Sequence, residues 1–349
     1  MTLFDLVTQK DLLDFSQNYS IVRNYMGDSL FPDQKTQNFE AEYIRLADTQ
    51  NLPYAAMVHG FDSEAAIGER KDFERVTVQK LLIKEKINLT EQARMLLDHG
   101  VQQNSILQYL FDDMGRMAET VKTRTEAMKM EALQTGKVTV QENKVTLQMD
   151  YKVPTGNVVN STASWADPSA DILGDIQTWV DIGSALGQKL TLGVTSTPIL
   201  RLMQKNTAIQ KAVNGANGTG MLVTPVQLNN LLSAMFSGLT LLANDATYIK
   251  YADTKKRGKK TSTRFFAENA LSLFAPQNDG SAGIGLWGVT PEEEAAGPYT
   301  EKSSQQFITL SRWEEPDPVA VWTKASGLFI PVLPNPSGLV CATINMAKS

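Results

Sequence analysis

The sequence predicts an α+β chain with two extensions, an N-terminal arm and a long hairpin, organised along a very long helix. Three observations carry that expectation. Apolar residues Ile106, Leu110, Met114, Met117, Val121 and Met128 recur at spacings of four, four, three, four and seven, which is one stripe of a helix. Two segments, 76–89 and 137–149, alternate apolar and polar residues as half-buried strands do. The rest of the chain mixes helices with short strands but lacks the regular βαβ alternation of a doubly wound sheet.

Composition narrows the chemistry. The 349 residues are 42% hydrophobic and 20% charged, enough apolar surface for a real core, which excludes a disordered, collagen-like or disulfide-scaffold protein. With Cys341 alone, no internal disulfide can form, and His59 and His99 are too few for an ordinary His/Cys metal site. Basic residues number 33 against 38 acidic, for a net charge of −5. Residues 1–150 hold 17 basic and 23 acidic side chains, and residues 151–349 hold 16 and 15, so the acidity lies in the first half. No signal-peptide pattern opens the chain. The longest uncharged stretch, 212–244, is cut by Pro225, Gln227, Asn229, Asn230 and Gly238, so no membrane span is expected where roughly 18 apolar residues are needed.

Along the chain, residues 1–50 show no clean period. They combine a short helical segment at 8–15 with breaks at Gly27-Asp28 and Phe31-Pro32-Asp33, and read as an arm that needs another surface to lie on. From 51 to 92 two strand-like segments, 54–58 and 76–89, flank the charged turn Gly68, Glu69, Arg70, Lys71 and Asp72. Such a hairpin exposes strand edges unless it lies on another subunit. The helix that follows is expected to end at Thr135-Gly136, a glycine cap. Lys137–Gln141 and Lys144–Met149 form a hairpin around Glu142-Asn143, with Val138, Val140, Val145, Leu147 and Met149 on one face. Asp167-Pro168 opens a helix holding Ile172, Ile176, Trp179 and Val180; Leu190–Val194 is a strand, Pro198–Val213 a helix, and Thr224-Pro225 starts another. Short strands complete the chain, ending in Gly327–Pro331 and Gly338–Ile344.

Motifs for catalysis are weak. Gly283-Ile284-Gly285-Leu286-Trp287-Gly288 is a literal GxGxxG, but turn residues precede it, Trp287 would crowd a phosphate, and Glu292, Glu293 and Glu294 would compete for the next helix N-terminus. No GxSxG elbow accompanies either histidine. The pairs Glu40/Glu42, Asp112/Asp113 and Glu314/Glu315 fit solvated faces better than glycosidase chemistry. Lys255, Lys256, Arg257, Lys259 and Lys260 form a basic cluster that could meet DNA phosphate or simply face solvent between two strands, with no aromatic interleaved for base stacking.

The order of parts, arm, hairpin, long helix, hairpin and larger α+β region, resembles the Hong Kong 97 type fold of tailed-phage major capsid proteins. Several stretches look like the lambda-type capsid protein E family: Leu30-Phe31-Pro32, the 68–86 region, Leu133-Gln134-Thr135-Gly136-Lys137-Val138, the Asp-Ile-x-x-Trp element within 171–179, Arg264-Phe265-Phe266-Ala267-Glu268-Asn269, Gly285-Leu286-Trp287-Gly288-Val289-Thr290-Pro291-Glu292-Glu293, and 322–336. The resemblance spans nearly the whole chain and accounts for the glycines better than a nucleotide loop does.

That resemblance implies an arm at 1–50, an extended hairpin loop at 51–92, a peripheral domain with the spine helix at 93–155, an α+β axial domain at 156–302 and returning strands at 303–349. It implies a non-enzymatic virion protein, without cofactor or metal, that is made in the host cytoplasm. Pentamers and hexamers would close into an icosahedral shell around double-stranded DNA, contacted weakly, with a separate scaffold protein and a portal as partners. Phe31, Pro32 and residues 68–72 are the expected inter-subunit contacts. The alternatives are a non-shell virion protein and a nucleotide-binding enzyme using 283–288.

Overall fold

The computed structural model describes residues 23–38, 40–46, 73–89, 103–142, 145–251, 260–294, 301–305, 307–316 and 319–347. The chain divides into two compact units. The first comprises 1–42, 77–129 and 284–332, the second 43–76, 130–283 and 333–349.

In chain order the elements begin with α1 (Met26–Leu30), β1 (Asp33–Lys35), β2 (Glu40–Leu46), β3 (Phe73–Gln79) and β4 (Leu81–Leu89). The long helix α2 (Gln103–Thr135) and the hairpin β5 (Lys137–Glu142) and β6 (Val145–Asp150) follow. Next come β7 (Val158–Asn160), α3 (Ile172–Ala185), β8 (Leu192–Thr195), α4 (Thr197–Lys205), α5 (Thr207–Asn214), α6 (Pro225–Met235) and β9 (Thr240–Ala243). The chain closes with β10 (Thr247–Tyr251), β11 (Lys260–Arg264), β12 (Ala270–Phe274), β13 (Ile284–Gly288), α7 (Pro291–Glu294), β14 (Glu301–Gln305), β15 (Ile308–Pro316), β16 (Val319–Val332) and β17 (Leu339–Thr343).

Helix α2 runs 33 residues, about 50 Å at 1.5 Å per residue. Met114, Met117, Val121 and Met128 of the expected stripe are buried. The helix stops where expected: Gly136 takes φ +66°, its N–H donates to Ala132 O, and a Cβ there would strike Val153. The following hairpin buries only its base. Val138, Val140 and Met149 are enclosed, whereas Val145 beside the turn is exposed.

The sheet of the first unit has the order β1-β13-β16-β15-β14, with β4 also on β16. Strands β15 and β4 both pair with the 321–326 stretch of β16, so they occupy its opposite edges. The ladder of β4 runs nine residues, from Leu81 opposite Phe329 to Leu89 opposite Val321. Along 81–88 the residues alternate half-buried and exposed, the period read from the sequence. The expectation that this strand leaves for another subunit is therefore corrected. The 14-residue β16 offers it an open edge at home, and an intramolecular ladder satisfies its backbone groups without a partner. Strand β3 instead pairs with β2, so segment 47–72 joins two paired strands.

The second unit packs its helices on the sheet β7-β17-β12-β8-β9 around a core that includes Trp165, Ile176, Trp179, Ile199, Leu232 and Leu271. Asp171, not Asp167-Pro168, opens α3, because its carboxylate accepts the Gly174 N–H at 3.0 Å. The predicted helix 198–213 is split in two at Asn206. That one side chain caps α5 by accepting from Ala208 and Ile209 N–H, while its amide donates to Pro168 O and Ala170 O at 3.1 and 2.7 Å. Thr224 and Gln227 form the capping box that starts α6. From α6, Asn229 closes the outer edge of β9, donating to Leu241 O and accepting from Leu241 N as a strand partner would. No helix among the described residues is long and apolar enough to cross a membrane.

Replacing Asn206 with Ala removes a cap and the amide's two hydrogen bonds, to Pro168 O and Ala170 O, each of which keeps a backbone donor from Thr207 or Ile172. We expect a loss of about 2–3 kcal/mol in urea unfolding, with Asn206→Asp recovering only the capping part.

Candidate functional site

The arm is fixed to α2 through one stripe of the helix. Residues 119, 123, 126 and 129 stand at i, i+4, i+7 and i+10, and each meets an arm residue in sequence order. Arg23 Nε lies 3.5 Å from Glu119 Oε1, and Tyr25 Oη lies 2.8 Å from Thr123 Oγ1. The Gly27 N–H donates to both oxygens of Glu126 at 3.0 Å. Lys129 Nζ donates to Asp28 at 3.0 Å and Asp33 at 2.8 Å, with Lys122 3.7 Å from each of those carboxylates. Glu126 and Lys129 are both buried. Burial pushes the Glu126 carboxyl up to about 7, against the opposing pull of the Gly27 N–H and of Lys129.

The glycines of the GxGxxG stretch belong to this arrangement. Gly285 and Gly288 lie in β13, between β1 and β16, with Trp287 fully buried, so they form no phosphate loop and the nucleotide-binding reading is set aside. A Cβ on Gly285 would stand 2.6 Å from Asp33 Oδ1 and 3.3 Å from Lys129 Cε. A Cβ on Gly288 would stand 2.6 Å from Leu328 Cδ2 and 3.0 Å from Lys80 Cδ. The absent side chains make room for two buried lysines. Lys80, whose ammonium burial holds below its usual range, donates to Thr36 Oγ1 and Asn38 O beyond β1.

A second ionic centre joins four elements of the same unit. Glu292 Oε1 in α7 lies 2.9 Å from both Lys84 of β4 and Lys324 of β16, while Glu293 accepts from Lys35 of β1 at 2.6 Å. Burial alone would raise Glu292, but the lysine hydrogen bonds outweigh it and hold the carboxyl at about 2. Above them Trp313 and Trp322 stack at 6.2 Å, with Lys86 Nζ 4.0 Å from the Trp322 ring centroid.

In the second unit the Asp-Ile-x-x-Trp element is structural. Asp175 accepts from Trp165 Nε1 at 2.8 Å, and Trp179 stacks on Trp165 with centroids 5.8 Å apart. Cys341 is buried, its thiol pushed up to about 12 by desolvation, far from nucleophilic use.

The expected contact residues fare differently. Phe31 is completely enclosed by its own chain and offers no surface to a neighbour, whereas Pro32 is exposed. Gly68, Glu69, Arg70, Lys71 and Asp72 lie outside the described residues, as do the helical segment at 8–15, the strand at 54–58, and Lys255, Lys256, Arg257 and Lys259. Lys260 opens β11 opposite Tyr251, so paired strands do flank the basic segment. The sequence reading missed Glu126, Lys129 and Glu292. A signal was available for the first two: Lys122, Glu126 and Lys129 form a charged stripe, and Lys129 stands between Met128 and Met130 in an otherwise apolar turn.

Comparison with known proteins decides what this arrangement belongs to. Residues 8–344 match the family model of phage major capsid protein E. The chain belongs to the phage major capsid protein E family. A protein described as the capsid protein of a prophage of Escherichia coli CFT073 superposes with a TM-score of 0.63 at 15% identity, covering 96% of this chain and 98% of its own. A phage-related protein from Bordetella bronchiseptica RB50 superposes at 0.57 with 11% identity, covering 97% of each chain. The shared architecture is the Hong Kong 97-like capsid fold. No curated protein sequence matches. Within this family, the Glu126 and Lys129 contacts fix residues 27–33 and the lysine-bound Glu292 fixes strand β4, and they belong to a structural protein of the virion.

Glu292 sets an acid limit on the first unit. Its depressed carboxyl adds stability that is complete above about pH 4.5 and is lost as the pH falls towards 2. Urea midpoints measured at pH 7 and pH 3 should show Glu292→Gln costing about 1–2 kcal/mol at pH 7 and much less at pH 3.

Proposed function

We propose that the chain is the shell subunit of a tailed-phage head, closing as pentamers and hexamers into an icosahedral shell around double-stranded DNA. The single observation that carries this is the capsid-family match over residues 8–344. In this reading residues 1–50 are the arm, 51–92 the extended loop, 93–155 the peripheral domain, 156–302 the axial domain and 303–349 the returning strands. Residues 68–72 and Pro32 meet neighbouring subunits, and segment 255–260 faces either DNA or solvent. A scaffold protein and a portal complete the assembly, which begins in the host cytoplasm.

Features of the subunit support this reading. Strands β2 and β3 pair at the base of segment 47–72, which suits an extension directed away from its own unit. Met221, Leu222 and Val226 are exposed within a run, 212–244, that contains no charged side chain. Exposed apolar surface of this kind suits burial between copies. Charge balance agrees with a container that must release its DNA, since each neutralised phosphate adds salt-sensitive affinity.

Negative-stain electron microscopy of the chain, expressed alone and with a scaffold candidate, should show rings or closed shells. Persistent monomers under both conditions would contradict the proposal. Deleting 62–72 should abolish shells while leaving a folded subunit by circular dichroism, and normal shells from that deletion would remove the role given to the loop.

A further inference from the structure

We propose that Glu126 is a proton-operated clasp for the arm: the docked arm keeps a proton on this carboxylate that the undocked arm gives up. The inference goes beyond the shell reading and rests on the geometry of the subunit alone.

The clasp is a built site. Both Glu126 oxygens lie 3.0 Å from one backbone N–H, that of Gly27, and the side chain is 2% exposed. The arm comes so close that a Cβ at Gly27 would stand 2.1 Å from Glu126 Oε2, so a larger residue there would have to push the carboxylate aside. A buried carboxylate needs a full set of donors or a proton. Here it receives one backbone donor.

Charges around it come from every side. From α2 itself stand Lys122 and Lys129; from the residue before α1, Tyr25; from α1, Asp28; from β1, Asp33. Gly285 of β13 and Phe329 of β16 pack against the Lys129 side chain and bring no titrating group. Lys129 donates to both aspartates, which diverts its charge from Glu126, and the two aspartates themselves oppose ionisation of a third carboxylate. Desolvation and these neighbours account for a carboxyl raised to about 7 while the arm is docked. With the arm lifted, the carboxyl meets water and returns to the ordinary range near 4.3.

The direction follows from linkage. The docked form binds more protons between these two values, so docking strengthens as the pH falls through 7 and weakens as it rises. No histidine occurs among the described residues to produce the same window.

Hydrogen–deuterium exchange of the full-length wild-type chain, followed by mass spectrometry on peptides covering 23–33 and corrected for the intrinsic exchange rate, tests this. Peptides of the buried strand 270–274 serve as the internal reference. Protection of the arm peptides should be on the order of twenty-fold greater at pH 5.5 than at pH 7.5, relative to the reference. Glu126→Gln, which keeps an acceptor for Gly27 but cannot ionise, should flatten the profile. Wild-type protection that does not change with pH, or the same slope in Glu126→Gln, overturns the proposal. Should Glu126→Gln not fold, the wild-type profile still decides.

Discussion

One buried ammonium holds the first unit together. Lys129 Nζ is removed from water at the inner face of a 33-residue helix, where an unpaired charge would cost several kcal/mol. Its neutralisation by Asp28 and Asp33 determines where the arm lies. Because Asp33 opens β1, the same pairing sets β1 beside β13, where a Cβ at position 285 would press on Asp33 Oδ1 and the Phe329 ring. Helix, arm and sheet are thus placed by one electrostatic requirement, while apolar burial at Met114, Met117 and Val121 supplies the non-directional part.

The long-range consequence concerns β16. Its 14 residues carry β13 and β15 along one edge and β4 along the other, so the strand that follows the β2–β3 pair is built into the sheet of the first unit. Glu292 reinforces this join by bridging Lys84 of β4 to Lys324 of β16. The two ionic centres tie residues 28–35 and strand β4 to the rest of the first unit.

Much of this was legible in the sequence, where one periodicity or one cap decided the outcome. The α2 stripe, the Gly136 stop, the 137–150 hairpin and the Thr224 start all rest on local physics and were found in place. What sequence reasoning misplaced depended on partners distant in the chain. A break expected at Gly27-Asp28 is instead a short helix, because Glu126 and Lys129, about a hundred residues away, satisfy it. Phe31, read as an intermolecular contact, is buried in its own unit, and Asn206 divides a helix that periodicity alone would continue. The glycines at 285 and 288 signalled close approach correctly, but the approaching groups were side chains of the same unit, Asp33 and Leu328 nearest with Lys129 and Lys80 behind them, rather than phosphate. Of the clasp, only the charged stripe 122, 126 and 129 was visible, and nothing local said which segment would answer it.

The claim that Lys129 positions the arm is tested most directly by a double-mutant cycle between Lys129→Met and Asp33→Asn, read by urea unfolding at pH 7. The account predicts a favourable coupling of about 2 kcal/mol or more, the double variant costing that much less than the sum of the two single variants. A coupling indistinguishable from zero would contradict it and leave the arm placed by its other contacts with α2 and by apolar burial.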